Sequence, residues 1–361
     1  MSVEPMRMSS RIRDYDVTFE SDAAFLERLS APGDRVLIVD EGAWRHHRDG
    51  CLASFDAAET IVLPIAEELK TLESVAGLYD RLTERAAKRN ITIVSVGGGI
   101  TQDITGFAAS TLYRGVNWVF VPTTLLAQAD SCIGSKTSLN YRHYKNLLGT
   151  FFPPTAVHIY APFLTTQEET DYMSGLGEVA KLHIMGGQAA ADRYEAALPV
   201  LLEREPAALL TAVKDSLAIK VSYVEGDEFD TGRRNLLNFG HCFGHAIESA
   251  TAFGVPHGQA VVLGMMLAGM VARSRGLLSE ESERHILRRL LEPSLAPAVT
   301  LAGLDDAAVI DAMKQDKKRV GAGLAVVMTT DGLEMVKAVD VTDAEALAAL
   351  RRFAGEYAPG R

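Results

Sequence analysis

The chain has 361 residues, of which 47% are hydrophobic and 23% are charged, and its formal net charge is −11 at pH 7. This composition is that of a globular protein long enough for two domains. The acidic balance argues against a nucleic-acid or anionic-membrane partner, because binding to phosphate groups along a surface needs a basic patch. The three cysteines, Cys51, Cys132 and Cys242, have no CxxC spacing, so we expect reduced thiols in a cytoplasmic protein. We find no apolar segment typical of a signal peptide or a transmembrane helix.

The first half of the chain has the pattern of a parallel sheet. Short β-branched runs cover residues 35–39, 91–96 and 117–121, and residues 73–88 carry apolar positions at helical spacing. Such alternation is typical of parallel strands joined by crossover helices. We therefore predict an α/β fold whose N-terminal Rossmann-like domain, residues 1–168, contains a parallel sheet.

The second half is rich in Ala, Leu, Met, Glu and Arg, which are strong helix formers. It predicts a mainly α-helical domain over residues 169–361, with a last helix that begins near Thr342 or Asp343. The other predicted helices cover residues 169–185, 207–225, 240–252, 258–275 and 280–292.

A run of three glycines follows the second predicted strand. Gly97, Gly98 and Gly99 lead into a helix that we expect to begin near Thr101. Glycines let the backbone approach a pyrophosphate, and a helix N-terminus supplies N–H donors and a positive dipole end. The run lacks the GxGxxG fingerprint, so a tight turn without a ligand is the other interpretation.

Residues 121–154 interleave polar and apolar side chains densely. Burying such polar groups is costly unless they converge on a ligand. The lysines and the asparagine of this segment could bind a phosphate, although a solvated loop is the alternative. The polar candidates are Thr123, Thr124, Asp130, Lys136, Lys145 and Asn146.

Three histidines lie within a short segment of the second half. His241 and His245 are four residues apart and share a helix face, and His257 follows after a turn. Structural histidines are one interpretation. The other is a zinc site completed by a carboxylate, for which Glu178, three residues before Lys181, is a candidate. Spacing alone leaves both open.

Five cations next to these motifs fit an anionic small substrate in an acidic chain. Each of them alone could equally be a surface residue. They are Arg114, Lys220, Arg234, Lys317 and Lys318.

Together these motifs resemble those of the 3-dehydroquinate synthase family of sugar-phosphate cyclases. The resemblance runs from about residue 60 to about residue 330. The stretches that carry it are PIAEELKTLE, VGGGITQDITGFAASTLYRG, VPTTLLAQADSCIGSKT, KNLLGTFFPP, GEVAK, DTGRRNLLNFGHCFGHAIE, PHGQAVVLGM and QDKK.

The resemblance implies an enzyme of the shikimate pathway that uses NAD and Zn²⁺, with Co²⁺ as a substitute metal. It would convert 3-deoxy-D-arabino-heptulosonate 7-phosphate to 3-dehydroquinate and phosphate. The reaction would begin with transient oxidation by NAD, followed by phosphate elimination. Re-reduction and an intramolecular aldol closure would complete it. The metal ligands would be Glu178, His241 and His257, with His245 at the substrate.

The same resemblance implies roles for the remaining residues. The NAD-binding positions would be Glu67, Lys70, Gly98, Gly99, Asp103, Thr123, Thr124, Lys145 and Thr166. The catalytic positions would be Asp130, Lys136, Lys181, Lys220, Arg234, Asn238 and His245. Substrate would also be bound by Arg114, Lys145, Asn146 and one of Lys317 and Lys318. Arg114 matches an arginine that reaches the site of a neighbouring subunit, which implies a homodimer.

Several positions depart from the family pattern. Ser135 stands where a glycine is usual, Gly42 replaces an asparagine, and YRHYKN, residues 141–146, replaces an HPLGKN-like segment. A related cyclase acting on sedoheptulose 7-phosphate or glucose 6-phosphate is therefore an alternative. Those substrates lack a carboxylate, which Arg234 and Lys220 would be suited to bind. A metal-dependent polyol or alcohol dehydrogenase is the second alternative.

Overall fold

The computed structural model describes residues 4–85, 88–142, 144–297, 299, 305–314 and 323–357. The chain separates into two compact units, Met1–Gln167 and Glu168–Arg361. Lys317 and Lys318 lie outside the described residues. Within the described ranges, no helix is both long and apolar enough to cross a membrane.

The first unit is an α/β fold built on nine strands and four helices. Its strands, β1 to β9, are Met6–Met8, Tyr15–Phe19, Arg35–Asp40, Thr60–Leu63, Thr92–Gly97, Asn117–Pro122, Lys136–Tyr141, Tyr144–Phe151 and Ala156–Ile159. Its helices, α1 to α4, are Ala24–Ser30, Glu41–His47, Leu72–Glu84 and Gly99–Thr111.

Seven of these strands form one sheet in the order β1-β2-β9-β6-β5-β3-β4. The β1–β2 pair is antiparallel and the other pairs are parallel. In β3, β5 and β6 every residue after the first is buried, as expected for strands covered on both faces. These are the three predicted strands, and the structure confirms them. Their carboxyl ends carry Asp40, Gly97 and Thr123, so these three residues lie along one edge of the sheet.

The remaining two strands, β7 and β8, form a separate antiparallel hairpin. The sequence of this segment predicts a polar site and not a hairpin, because its polar and aromatic residues obscure the alternation that is typical of a strand. The helix expected near Thr101 begins two residues earlier, at Gly99. The helix expected over residues 73–88 ends at Glu84.

The second unit is mainly helical, as predicted. Its helices, α5 to α12, are Glu169–Met185, Gln188–Leu202, Pro206–Val224, His241–Ala250, His257–Ser274, Glu280–His285, Asp306–Lys314 and Asp343–Tyr357. Its two strands, β10 and β11, are Leu324–Thr329 and Met335–Val341 and form an antiparallel ribbon that the sequence analysis missed. The stretch predicted to be helical over residues 280–292 is helical throughout, with α10 followed by a π-helical turn over Ile286–Leu291.

The N-terminus of α12 is where the sequence analysis places it. The hydroxyl oxygen of Thr342 accepts a hydrogen bond from the backbone N–H of Glu345, at 3.2 Å. The Glu345 carboxylate in turn accepts from the backbone N–H of Thr342, at 2.8 Å. Thr342 is thus the N-cap of a reciprocal capping box.

Helix α9 packs against α5 and α8 with almost no space between the backbones. A methyl group added at Gly258 would overlap the carbonyl oxygen of Ser174, which lies in α5. A methyl group added at Gly264 would overlap the carbonyl oxygen of Gly240, which precedes α8. Only glycine permits such an approach, and the approach brings the start of α9 close to α5 and α8.

We expect Gly264→Ala to destabilise the protein, although alanine normally favours a helix by roughly 1 kcal/mol over glycine. The clash with Gly240 should outweigh that gain and cost about 1–3 kcal/mol, as other overpacked cores do. Urea unfolding measures the difference. Gly269→Ala is the control in the same helix, because its new methyl would meet only the flexible end of Leu287, at 3.2 Å. Equal stability of the two variants would contradict the packing argument.

Candidate active-site residues

The glycine turn lies at the carboxyl edge of the sheet. The backbone N–H of Gly98 donates a hydrogen bond to the Asp40 carboxylate, at 3.1 Å, and α4 begins at the next residue. A methyl group at Gly98 would lie 3.0 Å from the side chain of Thr124. Thr124 therefore packs closely over the turn, and this approach is possible because Gly98 lacks a side chain.

Asp40 is a residue of this turn that the sequence analysis did not select. It is 8% exposed, and burial raises the pKa of its carboxyl, while hydrogen bonds from the Ala43 and Gly98 amides oppose that rise. It also caps α2 by accepting from the N–H of Ala43, at 2.6 Å. An acidic residue at the end of a buried parallel strand is the pattern that could have identified it.

A buried polar network joins α4 to the β7–β8 hairpin. The ammonium group of Lys70 donates to the Asp103 carboxylate at 2.9 Å and to the Asn146 side-chain oxygen at 2.6 Å. Ser138 donates to both carboxylate oxygens of Asp103, from its backbone at 2.8 Å and its hydroxyl at 2.9 Å. Burial raises the pKa of Asp103, and the charge of Lys70 opposes this. The structure thus brings three predicted site residues together, namely Lys70, Asp103 and Asn146.

The segment before α3 contacts the same hairpin. The Glu67 carboxylate lies 3.9 Å from the Lys145 ammonium and accepts a hydrogen bond from the Asn140 amide at 2.8 Å. Asn140 also accepts from the backbone N–H of Asn146, at 3.0 Å. The sequence pattern did not identify Ser138 or Asn140 as site residues. They are two and four residues after Lys136 along β7, so all three share one face of the strand.

The other predicted residues of this unit have more local surroundings. The backbone of Thr123 donates to Gly97 at 2.9 Å, next to the glycine turn. Thr166 lies 2.8 Å from the imidazole of His47. Asp130 lies in a π-helical turn, Ala127–Ser131, a feature that is frequent at functional sites.

Three predicted or atypical positions, Arg114, Ser135 and Asn146, have a left-handed backbone. Their φ values are 67°, 65° and 52°, and Tyr113, next to Arg114, has a φ of 52°. Such conformations cost non-glycine residues roughly 1–2 kcal/mol each and are concentrated at functional sites. Ser135 therefore keeps the backbone conformation that a glycine would adopt there.

In the second unit, a buried carboxylate faces two imidazoles. Glu178 in α5 is 1% exposed, and its Oε1 lies 3.8 Å from Nε2 of His241 and 3.6 Å from Nε2 of His257. Its Oε2 is in close contact with the ammonium group of Lys181 one turn later, whereas Oε1, which faces the imidazoles, accepts no hydrogen bond from the described residues. A buried carboxylate oxygen without a donor, beside two imidazole nitrogens, fits a metal ion, because zinc ligands each lie about 2 Å from the ion.

His245 belongs to the same cluster. The ligand atoms of His241, His245 and His257 all lie within 4.8 Å of one another. The geometry therefore permits three imidazoles as ligands as well as the predicted set of Glu178, His241 and His257. The described coordinates alone do not choose between these sets.

The electrostatics favour neutral imidazole at His241. Burial and the charge of Lys181 keep the pKa of His241 well below its usual value, so the form that binds metals predominates at neutral pH. Nδ1 of His241 lies 3.1 Å from the carbonyl oxygen of Phe239. Burial alone would lower the pKa of His257, but the Glu248 and Glu178 carboxylates raise it overall. Nδ1 of His257 lies 3.2 Å from Glu248.

Three predicted substrate-binding cations of this unit are deeply buried. Lys181 is 2% exposed, Lys220 in α7 is 7% exposed and Arg234 is 4% exposed. The guanidinium of Arg234 donates to the carbonyl oxygen of Glu228, and the side-chain amide of Asn238 donates to Asn235 at 2.8 Å. Buried cations need anionic or polar partners, and the Glu178 carboxylate is one such partner for Lys181.

The chain has the fold of the sugar-phosphate cyclases. Residues 60–174 match the model of the 3-dehydroquinate synthase N-terminal domain, and residues 175–319 match that of the C-terminal domain. The protein belongs to the 3-dehydroquinate synthase family. The 3-dehydroquinate synthase of Methylococcus capsulatus is 39% identical to it over 301 residues, which are 82% of this chain and 84% of that protein.

Two solved structures share the fold over nearly the whole chain. The first is the valiolone synthase ValA from Streptomyces hygroscopicus subsp. jinggangensis 5008, crystallised with NAD⁺ and Zn²⁺; it is 28% identical, with a TM-score of 0.80 over 98% of this chain and 99% of that one. The second is a 2-deoxy-scyllo-inosose synthase with carbaglucose-6-phosphate, NAD⁺ and Co²⁺, at 23% identity and a TM-score of 0.79 over 97% of this chain and 100% of that one. At 23% identity, the second structure shows the fold alone.

Removal of Lys70 should destabilise the protein strongly, because Lys70→Met leaves the Asp103 carboxylate buried without its cation. Breaking a buried ion pair typically costs about 3–5 kcal/mol. The double variant Lys70→Met/Asp103→Asn should recover much of the loss, and a double-mutant cycle in urea unfolding measures the coupling. Additive losses would show that the pair contributes nothing beyond its separate members.

Replacing single histidines should distinguish the two ligand sets. His257→Ala should abolish stoichiometric zinc binding, since it removes a ligand in both sets. His245→Ala should keep zinc at one ion per chain and lose turnover, if Glu178 is the third ligand. Metal content after dialysis, measured by mass spectrometry, checks both. Loss of zinc in His245→Ala would favour the three-histidine site instead.

Proposed function

We propose that this protein is a 3-dehydroquinate synthase that converts 3-deoxy-D-arabino-heptulosonate 7-phosphate to 3-dehydroquinate and phosphate. The observation that carries the proposal is the buried Glu178 carboxylate, whose Oε1 faces His241 and His257 and accepts no hydrogen bond from the described residues, in a chain of this family. The buried cations Lys220 and Arg234 support the choice of a substrate with both a phosphate and a carboxylate.

The proposed cofactors are NAD and Zn²⁺, with Co²⁺ as a substitute, as in the two solved cyclases. Bound NAD⁺ would supply a reversible hydride acceptor, and bound Zn²⁺ would supply a Lewis acid at the oxidised oxygen. Glu178, His241 and His257 would hold the metal. The residues proposed to hold NAD are Glu67, Lys70, Gly98, Gly99, Asp103, Thr123, Thr124, Lys145 and Thr166.

The protein's own residues would act mainly by positioning and electrostatics. The guanidinium of Arg234 offers parallel N–H donors that match a carboxylate, whereas the ammonium of a lysine acts as a point charge on phosphate. Lysine side chains around the phosphate would stabilise the negative charge that develops as it leaves. Asp130, Asn238 and His245 would hold the hydroxyl groups of the substrate in a single orientation. The residues proposed around the phosphate are Lys136, Lys145, Asn146, Lys181 and one of Lys317 and Lys318.

We further propose a cytoplasmic homodimer that serves the shikimate pathway and aromatic amino acid biosynthesis. Arg114 would complete the site of the neighbouring subunit, and its left-handed backbone, with that of Tyr113, supports a specialised presentation of the side chain. A monomer in sedimentation equilibrium at working concentrations would exclude this arrangement.

The second candidate is a cyclase for sedoheptulose 7-phosphate or glucose 6-phosphate. The likeness to a valiolone synthase over nearly the whole chain favours it, as does the departure from the family pattern at residues 141–144. These substrates lack the carboxylate that Arg234 would bind. The metal-dependent alcohol dehydrogenase remains a third candidate and would give net reduction of NAD⁺.

Phosphate release in the presence of NAD⁺ and Zn²⁺ tests the proposal against all three. We expect release from the carboxylated heptulosonate phosphate at a far higher kcat/KM than from the two sugar phosphates that lack a carboxylate, without accumulation of NADH. Chromatography and mass spectrometry identify the cyclic product. Turnover of a sugar phosphate without a carboxylate alone would establish the second candidate, and net NADH formation would establish the third.

The variant Arg234→Ala tests whether Arg234 binds the carboxylate of the substrate. It should lower kcat/KM for the heptulosonate phosphate by roughly 10- to 100-fold, since a hydrogen bond to a charged group contributes about 1.5–3 kcal/mol. Arg233→Ala, at the exposed neighbouring arginine, should leave this value unchanged.

A further inference from the structure

A second buried carboxylate lies next to the imidazole cluster. Glu248 is 3% exposed, and its Oε2 lies 3.2 Å from Nδ1 of His257. It lies seven residues after His241 in the same helix, α8, so both side chains share one helix face. Neither the roles implied by the family nor the mechanism above makes use of Glu248.

The contact determines which nitrogen of His257 is available. A carboxylate accepts a hydrogen bond, so a neutral His257 beside Glu248 carries its proton on Nδ1. Its Nε2 then presents a lone pair, and this is the atom that lies 3.6 Å from Oε1 of Glu178. Without an acceptor at Nδ1, the ring could turn or adopt the other tautomer.

His241 shows the same arrangement with a different acceptor. Its Nδ1 lies 3.1 Å from the carbonyl oxygen of Phe239, and its Nε2 lies 3.8 Å from Oε1 of Glu178. Two imidazoles from different helices thus direct Nε2 toward one carboxylate, and each has an acceptor behind it. Such outer acceptors orient metal-bound histidines and increase their basicity.

We propose that Glu248 is a positioning residue of the metal site, which holds the His257 ring with Nε2 directed at the ion. This inference rests on the proposed function, since it assumes that His257 is a metal ligand. A purely structural role, joining α8 to the start of α9, is the competing explanation. Burial of a carboxylate is costly in either case, so stability alone cannot separate the two.

The test is metal affinity in Glu248→Gln, which keeps the shape of the side chain and removes its charge. We expect the dissociation constant for Zn²⁺, measured by competition with a chromogenic chelator, to rise 10- to 100-fold. The visible absorption spectrum of the Co²⁺-substituted protein should also change, because the orientation of one ligand changes. The affinity for NAD⁺ should stay the same.

Glu283→Gln is the matched control. Glu283 is also a buried carboxylate of the helical unit, 2% exposed, and its partner is Arg352 at 2.6 Å. This variant should lose stability in urea unfolding and keep the parent's affinity for Zn²⁺ and its Co²⁺ spectrum. If Glu248→Gln does not fold, Glu248→Asp replaces it, because it keeps the charge and withdraws the carboxylate from Nδ1 by one methylene.

The outcomes separate this inference from the proposed function. Affinity within threefold of the parent and an unchanged Co²⁺ spectrum in the Glu248 variant would overturn the positioning role. Equal weakening in Glu283→Gln would also overturn it, because the effect would then follow from general destabilisation. If His257→Ala itself keeps the parent's affinity, the metal assignment fails, and the inference fails with it.

Discussion

The burial of Glu178 is the constraint on which the rest of the helical unit depends. A carboxylate that is 1% exposed loses its hydration, and an isolated charge at such a position would be strongly disfavoured. Lys181 supplies one compensating charge from the same helix. The His241 imidazole faces the carboxylate, but its lowered pKa keeps it largely neutral, so it does not compensate the charge. A divalent cation bound by Glu178, His241 and His257 would satisfy the carboxylate and both nitrogens together.

The approach of helices α5, α8 and α9 makes this convergence possible. Glu178 and His257 belong to different helices, and their side chains meet because the helix backbones pack without intervening side chains at Gly258 and Gly264. The glycines of α9 thus help to position the side chains of this cluster. Their helix propensity is poor, and the packing and the site explain why they are present.

In the α/β unit, the side chains of a lysine and a serine compensate a carboxylate. The side chain of Asp103 is 18% exposed, and Lys70 and Ser138 compensate its charge through hydrogen bonds between 2.8 and 2.9 Å. The bonds from Ser138 link the β7–β8 hairpin to α4. The sequence predicted Lys70 and Asp103 only through the family resemblance, because their separation along the chain conceals the contact, whereas Asn146 was also a candidate from its polar segment. It predicted β3, β5 and β6 directly, because strands buried on both faces read as continuous apolar runs. It did not predict β7 and β8, because their polar side chains form hydrogen bonds with one another and interrupt any continuous apolar run. Glu248 was missed because a glutamate in a helix is usually exposed, and only the tertiary structure reveals its burial.

The departures from the family pattern and the buried cations differ in how strongly they indicate the substrate. Ser135 replaces a glycine, yet its φ of 65° is the conformation that the glycine would have. The change therefore preserves the backbone at the start of β7 at a cost of roughly 1–2 kcal/mol, and it does not itself argue for a different substrate. Substrate choice depends more on the charged groups that can face the substrate. Arg234 and Lys220 are both buried, and the planar guanidinium of Arg234 has the geometry to bind a carboxylate, which sedoheptulose 7-phosphate and glucose 6-phosphate lack. These cations therefore weigh more than the altered turn in the choice of substrate, and they favour the carboxylated heptulosonate phosphate.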